Sequence, residues 1–119
     1  MEDCIFCRII KGEIPSKKVY EDDMVLAFED INPVAPVHVL LIPKKHIKNI
    51  NELEEDNISI LSHMVKTIPQ IAKVMNIYES GYRVVNNCGD DGGQEVQHIH
   101  FHIIGGRKLV WPPGWVYEK

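Results

Sequence analysis

The stretch His98-Ile99-His100-Phe101-His102-Ile103-Ile104 limits the fold more than any other segment, because histidine and apolar residues alternate strictly through most of it. Successive side chains in a strand point to opposite faces. The pattern therefore predicts a strand with Ile99, Phe101 and Ile103 on a core face and His98, His100 and His102 together on the other. Three titratable rings about 7 Å apart are costly to bury unpaired and add little to packing. Half of the chain's six histidines stand here, which points to a site rather than a scaffold.

The rest of the chain supplies neighbours for such a strand. "DCIFCRIIKG" reads as a short helix, with Asp3 as N-cap, Ile5, Phe6, Ile9 and Ile10 as apolar positions and Gly12 as its stop. "KKVYED" and "MVLAFED" read as strands joined at Glu21-Asp22-Asp23. "HVLLIP" is a third, stopped by Pro43, with His38, Leu40 and Ile42 on one face. A long helix is expected from Asn51, with Ile58, Leu61, Val65, Ile68, Ala72 and Met75 at helical spacing and a kink at Pro69. "YRVVNN" and "QHIHFHII" follow as strands split by the glycine-rich "CGDDGGQ", and the tail "VWPPGWVYEK" has no regular element. This order predicts an α+β fold, an antiparallel sheet with helices on one face.

Composition narrows the function. The 119 residues make one domain, 1–119, able to bury roughly two thirds of its unfolded surface. No apolar run approaches the ~20 residues of a membrane span, and the acidic start Met1-Glu2-Asp3 is not that of a signal peptide. No membrane partner is expected. A net charge of −4 argues against polymeric nucleic acid and leaves room for a single nucleotide in a pocket. The odd set Cys4, Cys7 and Cys88 fits a reducing, cytoplasmic location better than a disulfide framework.

The residues alone leave three readings of the triad open: hydrogen-bonded structural histidines, metal ligands, or phosphoryl chemistry by a neutral imidazole nucleophile. The loop Gly89 to Gln94 is either a plain turn or a phosphate cradle, with Asp90 and Asp91 pointing away. It is not a Walker loop, since no Gly-Lys-Ser/Thr follows. Cys4 and Cys7, three apart, share a helix face as two buried thiols or as half of a zinc site. The flanks lack the strand-then-helix unit of a thioredoxin-type redox pair. His63 reads as solvated and uninvolved.

"HIHFHII" resembles the signature of the histidine triad family. "EIPSKKVYEDD", "AFEDINPVAPVHVLLIPKKHI", "DGGQEVQHIHFHIIGGR" and "WPPGW" extend the resemblance over nearly the whole chain, to the Hint branch, the histidine triad nucleotide-binding proteins. It implies a HIT-like α+β fold: a five-stranded antiparallel sheet with one long and one short helix, continued across a homodimer. It also implies a purine nucleoside phosphoramidase that works through a nucleotidyl-histidine intermediate and releases AMP or GMP, with no cofactor required for catalysis. The rivals are a dinucleoside polyphosphate hydrolase, against which "GGR" and "WPPG" argue, and a nucleotide-binding adaptor with incidental hydrolysis.

Carried over by position, the resemblance makes His100 the nucleophile, its other ring nitrogen donating to the carbonyl of His98. His102 binds phosphate and assists the leaving group, and His38 is the family's fourth histidine. Phe6, Ile9, Ile31 and Leu40 line the base pocket, Asp30 accepts from the ribose, and Asn87 and Gln94 stand beside the phosphate. Glu95 replaces a serine of some relatives, so only its backbone N–H is carried over, and Gln97 replaces an aromatic residue. Cys4 and Cys7, joined by His46 and His98, are expected to hold one structural, non-catalytic zinc per chain. Trp111, Trp115 and Tyr117 in the tail are expected to complete a partner's site in the dimer.

Overall fold

Val25-Leu26-Ala27-Phe28 and Val39-Leu40-Leu41-Ile42 are unbroken apolar runs, the pattern of strands covered on both faces. In the computed structural model, which describes residues 3–113, they form adjacent strands of a five-stranded antiparallel sheet. The strands are β1 (Lys18–Glu21), β2 (Val25–Glu29), β3 (Val37–Pro43), β4 (Tyr82–Asn86) and β5 (Phe101–Gly105). Their order is β1-β2-β3-β5-β4, so β4 is an edge. The β1–β2 turn is fixed by the Asp22 carboxylate, which accepts from the N–H groups of Met24 and Val25 at 2.8 and 2.9 Å.

Two helices cover the sheet, on opposite faces and not on one as expected. The long α2 (Ile58–Val74) packs Met64, Ile68, Ile71 and Ala72 on Val25, Ala27, Val39, Leu41, Phe101 and Ile103. The short α1 (Ile5–Ile10) packs Phe6 and Ile9 on Leu26, Phe28, Leu40 and Ile42. Alternate residues of β2 and β3 thus feed two separate cores.

Local chemistry moved several boundaries. Cys4, not Asp3, caps α1, its sulfur accepting from the Cys7 N–H at 3.4 Å. The long helix starts at Ile58 rather than Asn51, because Ile50–Glu52 form a separate 3-10 turn capped by Asn49. Of the expected stripe, Ile68 and Ala72 are buried and Leu61 and Met75 pack against the same core, whereas Ile58 and Val65 are about half exposed and Met64 and Ile71 fill the face instead. The helix runs unbroken through Pro69. Strand β5 begins at Phe101, three residues after the first histidine of the alternating stretch. Its ladder with β3 stops at Leu41↔Phe101. Two residues on, Pro43 has no N–H to give and its carbonyl accepts from the His98 ring at 2.8 Å. His98 ends a bend and His100 follows it outside the strand, in chain tied by Ile99 N–H to the Ile47 carbonyl, and His102 alone of the three is in a strand.

Candidate active site

The α1 face of the sheet carries a cavity of about 670 Å³. Phe6, Ile9, Ile31 and Leu40 give it an apolar side, and His38, His100 and His102 enter it with Asp30, Asn87 and Glu95. Ile31 is 90% exposed, so it forms the rim, whereas Phe6 meets the His100 ring edge-on at 5.1 Å between centroids. His98 is fully buried and outside this lining. Gln94 is outside it as well. Its amide accepts from the Gly89 N–H at 2.9 Å and donates to the carbonyls of Lys48 and Val96 at 2.8 and 3.0 Å, which straps the glycine-rich loop shut.

Hydrogen bonds fix which nitrogen of each ring carries its proton. His100 Nδ1 lies 2.8 Å from the His98 carbonyl, an atom that can only accept, so Nδ1 is protonated and Nε2 keeps its lone pair. The Val34 N–H donates to His38 Nδ1 at 3.2 Å, which puts the proton of neutral His38 on Nε2. That N–H donates to His102 Nδ1 at 2.8 Å, leaving the proton of His102 on its Nε2. Asp30 reaches His38 Nε2 at 3.4 Å and also accepts from the Asn32 N–H at 2.8 Å. Asn86, which sequence reasoning missed, donates to the His100 carbonyl at 2.8 Å.

Burial keeps these rings neutral. It pushes His38 and His100 below the ordinary histidine value. His102 falls to about 4, through burial first and then its neighbours His100 and His38. One cavity thus presents an unprotonated imidazole nitrogen on His100 and a ring N–H on His102, the two groups a covalent phosphoryl transfer needs.

The glycine-rich loop closes as a turn. The Gly93 and Gln94 N–H groups donate to the carbonyls of Asp90 and Gly89. A Cβ on Gly92 would meet the Cys88 carbonyl oxygen at 2.4 Å, so only glycine permits this closure. The first N–H past the turn, on Glu95, has no partner among the described residues. Asp90 and Asp91 are exposed and outside the cavity lining. Asn87 donates to the Gly92 carbonyl at 2.6 Å.

Behind the cavity, Cys4, Cys7, His46 and His98 bring one ligand atom each within 4.8 Å of one another. Cys4 Sγ and Cys7 Sγ stand 3.3 and 3.6 Å from His98 Nδ1, Cys7 Sγ stands 3.4 Å from His46 Nδ1, and the two nitrogens are 3.1 Å apart. Tetrahedral zinc with ordinary bond lengths needs S···N edges of about 3.5 Å and an N···N edge of about 3.3 Å. The residues fit such an ion. His98 Nε2 donates to the Pro43 carbonyl, so its lone pair faces the cluster. His63, expected to be solvated, instead meets Asp22 at 2.8 Å on the opposite face of the sheet. Trp111 is 80% exposed, and Trp115 and Tyr117 lie outside the described residues.

A family model described as the HIT domain matches residues 11–109. A crystal structure of a HIT family hydrolase from Legionella pneumophila superposes with a TM-score of 0.91 at 48% identity, covering 94% of this chain and all of that one. A histidine triad protein from Clostridium difficile gives 0.89 at 52% identity, over 99% and 98% of the two chains. Among curated proteins, a 14 kDa zinc-binding protein of Zea mays is 51% identical over 112 residues, 92% of this chain and 87% of that one.

Proposed function

The chain belongs to the HIT domain family, and from that premise we propose that it is a hydrolase of the Hint branch, a purine nucleoside phosphoramidase. The observation that carries the reading is the 2.8 Å bond from His100 Nδ1 to the His98 carbonyl, which leaves His100 Nε2 as a neutral nucleophile. The apolar side of the cavity takes the base and Asp30 the ribose hydroxyls. In the first step the His100 Nε2 lone pair forms a bond to the α-phosphorus. The P–N bond to the amine breaks, and its electron pair leaves on nitrogen with the proton from His102 Nε2. In the second step water attacks the nucleotidyl-histidine, His102 recovers a proton, and the mononucleotide leaves with His100 restored. The main-chain N–H of Glu95 holds a phosphoryl oxygen while the His102 ring N–H goes to the leaving amine, and the chemistry as proposed uses no cofactor.

We also propose that one structural zinc is held by Cys4, Cys7, His46 and His98. It supplies cross-linking of α1 to the chain before β5 and takes no part in turnover. Homodimerisation through the free edge of β4, where Val84 is 40% exposed, completes the assembly. A single domain over residues 1–119 in a reducing cytoplasm agrees with three free cysteines. The test is quench of protein mixed with adenosine 5′-phosphoramidate in denaturant at alkaline pH, where a phosphorus–nitrogen bond to histidine survives, followed by intact mass. An adenylyl adduct should form on the protein and be absent from His100→Ala; no adduct together with undiminished turnover in that variant would end the reading.

A further inference from the structure

Building on the phosphoramidase reading, we propose that Glu95 is the specificity-determining residue of the cavity, selecting a leaving amine that carries a positive charge and rejecting a polyphosphate. The lining includes three acidic residues, Glu29, Asp30 and Glu95, and among the described residues neither Lys nor Arg. Two of the acids are engaged: Glu29 meets Lys17 at 3.7 Å, and Asp30 faces His38 at 3.4 Å. Glu95 is exposed and has no ion-pair partner among the described residues.

Its position matters as much as its charge. A second hollow of about 590 Å³, lined in part by Asp3, His46 and Gln97, shares Ile5, Glu95 and Val96 with the first. Glu95 therefore stands on the seam between the two. A leaving group that extends from the phosphorus at His100 into the second hollow passes its carboxylate. A polyphosphate finds like charge there and neither Lys nor Arg among the described residues of either lining to compensate, the zinc proposed beside the second hollow at Cys4 and His46 being balanced by its two thiolates, whereas an ammonium finds a counter-ion. The mixed lining of neutral imidazoles and carboxylates suits one phosphoryl group and not a string of them.

The experiment compares kcat/KM for two adenosine 5′-phosphoramidates of equal length, one with an alkylamine ending in ammonium and one ending in methyl, together with diadenosine tetraphosphate. Wild type should prefer the ammonium substrate by about three- to tenfold at low salt, as suits an exposed charge, and lose that preference near ~0.5 M salt. Glu95→Gln should bring the ratio close to one, and Glu95→Lys should invert it and raise turnover of the tetraphosphate. Since the side chain is exposed, both variants should melt with wild type. An ammonium-to-methyl ratio in Glu95→Gln equal to that of wild type, with turnover intact, would overturn the role of Glu95 and leave the phosphoramidase reading standing. Failure of wild type to turn over either phosphoramidate would remove both.

Discussion

His38 Nε2 stands 2.8 Å from His102 Nδ1, and the direction of that bond is set by a main-chain group, the Val34 N–H on His38 Nδ1. On the proposed mechanism His38 acts on the chemistry through the tautomer of its neighbour. His38→Phe should therefore lower kcat by roughly 10²-fold, the usual contribution of a positioned general acid, while KM moves only a few-fold. Steady-state kinetics decides it. An unchanged kcat would separate His38 from the protonation of His102.

The neutral rings make stability depend on pH. His38, His100 and His102 all titrate below the ordinary 6.5, His102 at about 4, with burial as the first cause. Between those values the unfolded chain binds protons that the folded chain refuses, so stability rises with pH. The stabilisation is complete above 6.5, declines as pH falls toward about 4 and levels off below. Melting curves from neutral to acid pH, with chelator throughout so that metal release adds nothing, should show this fall. His102→Asn should make it shallower, and equal slopes would count against the assignment.

Metal binding and turnover should separate. Cys4→Ser/Cys7→Ser is expected to lose zinc and to melt about 10 °C or more below the metal-loaded protein, because metal binding is coupled to folding. Its turnover should fall far less than that of His100→Ala. Protein purified without chelator or added zinc, yet metal-free and unchanged in melting by chelator, would return the two thiols to the core.

Gln94 is expected to matter for the loop and not for the phosphate. Gln94→Ala leaves the Gly89 N–H and the Lys48 and Val96 carbonyls without their partner. A loss of about 2 kcal/mol in denaturant unfolding should follow. Nucleotide affinity measured by calorimetry below the melting transition should fall only through loosening of the loop. A large affinity loss with no stability loss would reverse that order.

Much of this was legible in the sequence, and the exceptions have physical causes. The parity of His38, Leu40 and Ile42 put these residues on one face, and Leu40 and Ile42 do pack against α1. The unbroken runs in β2 and β3 also carried the signal that both faces of the sheet are covered, but the alternation at 98–104 drew attention to a one-sided sheet. That alternation overstated the strand, because pairing depends on whether a neighbour can supply N–H groups, and Pro43 cannot. The roles of Gln94, Val34 and Asn86 rest on side-chain and main-chain bonds inside loops, or at a strand end. No periodicity encodes those. The cluster of Cys4, Cys7, His46 and His98 was reached only through family resemblance, since 94 residues separate its first and last members.

That separation bears on how the molecule is made. A six-residue helix such as α1 is too short to persist alone in water. Its Cys4 and Cys7 therefore meet His98 only after the chain between them has been made. Closing so wide a loop comes late in folding, since its entropy must be met before the contacts it brings can repay it. Helix α1 can dock on β2 and β3 earlier through Phe6 and Ile9, so only the fastening of Cys4 and Cys7 to His98 is expected to come last.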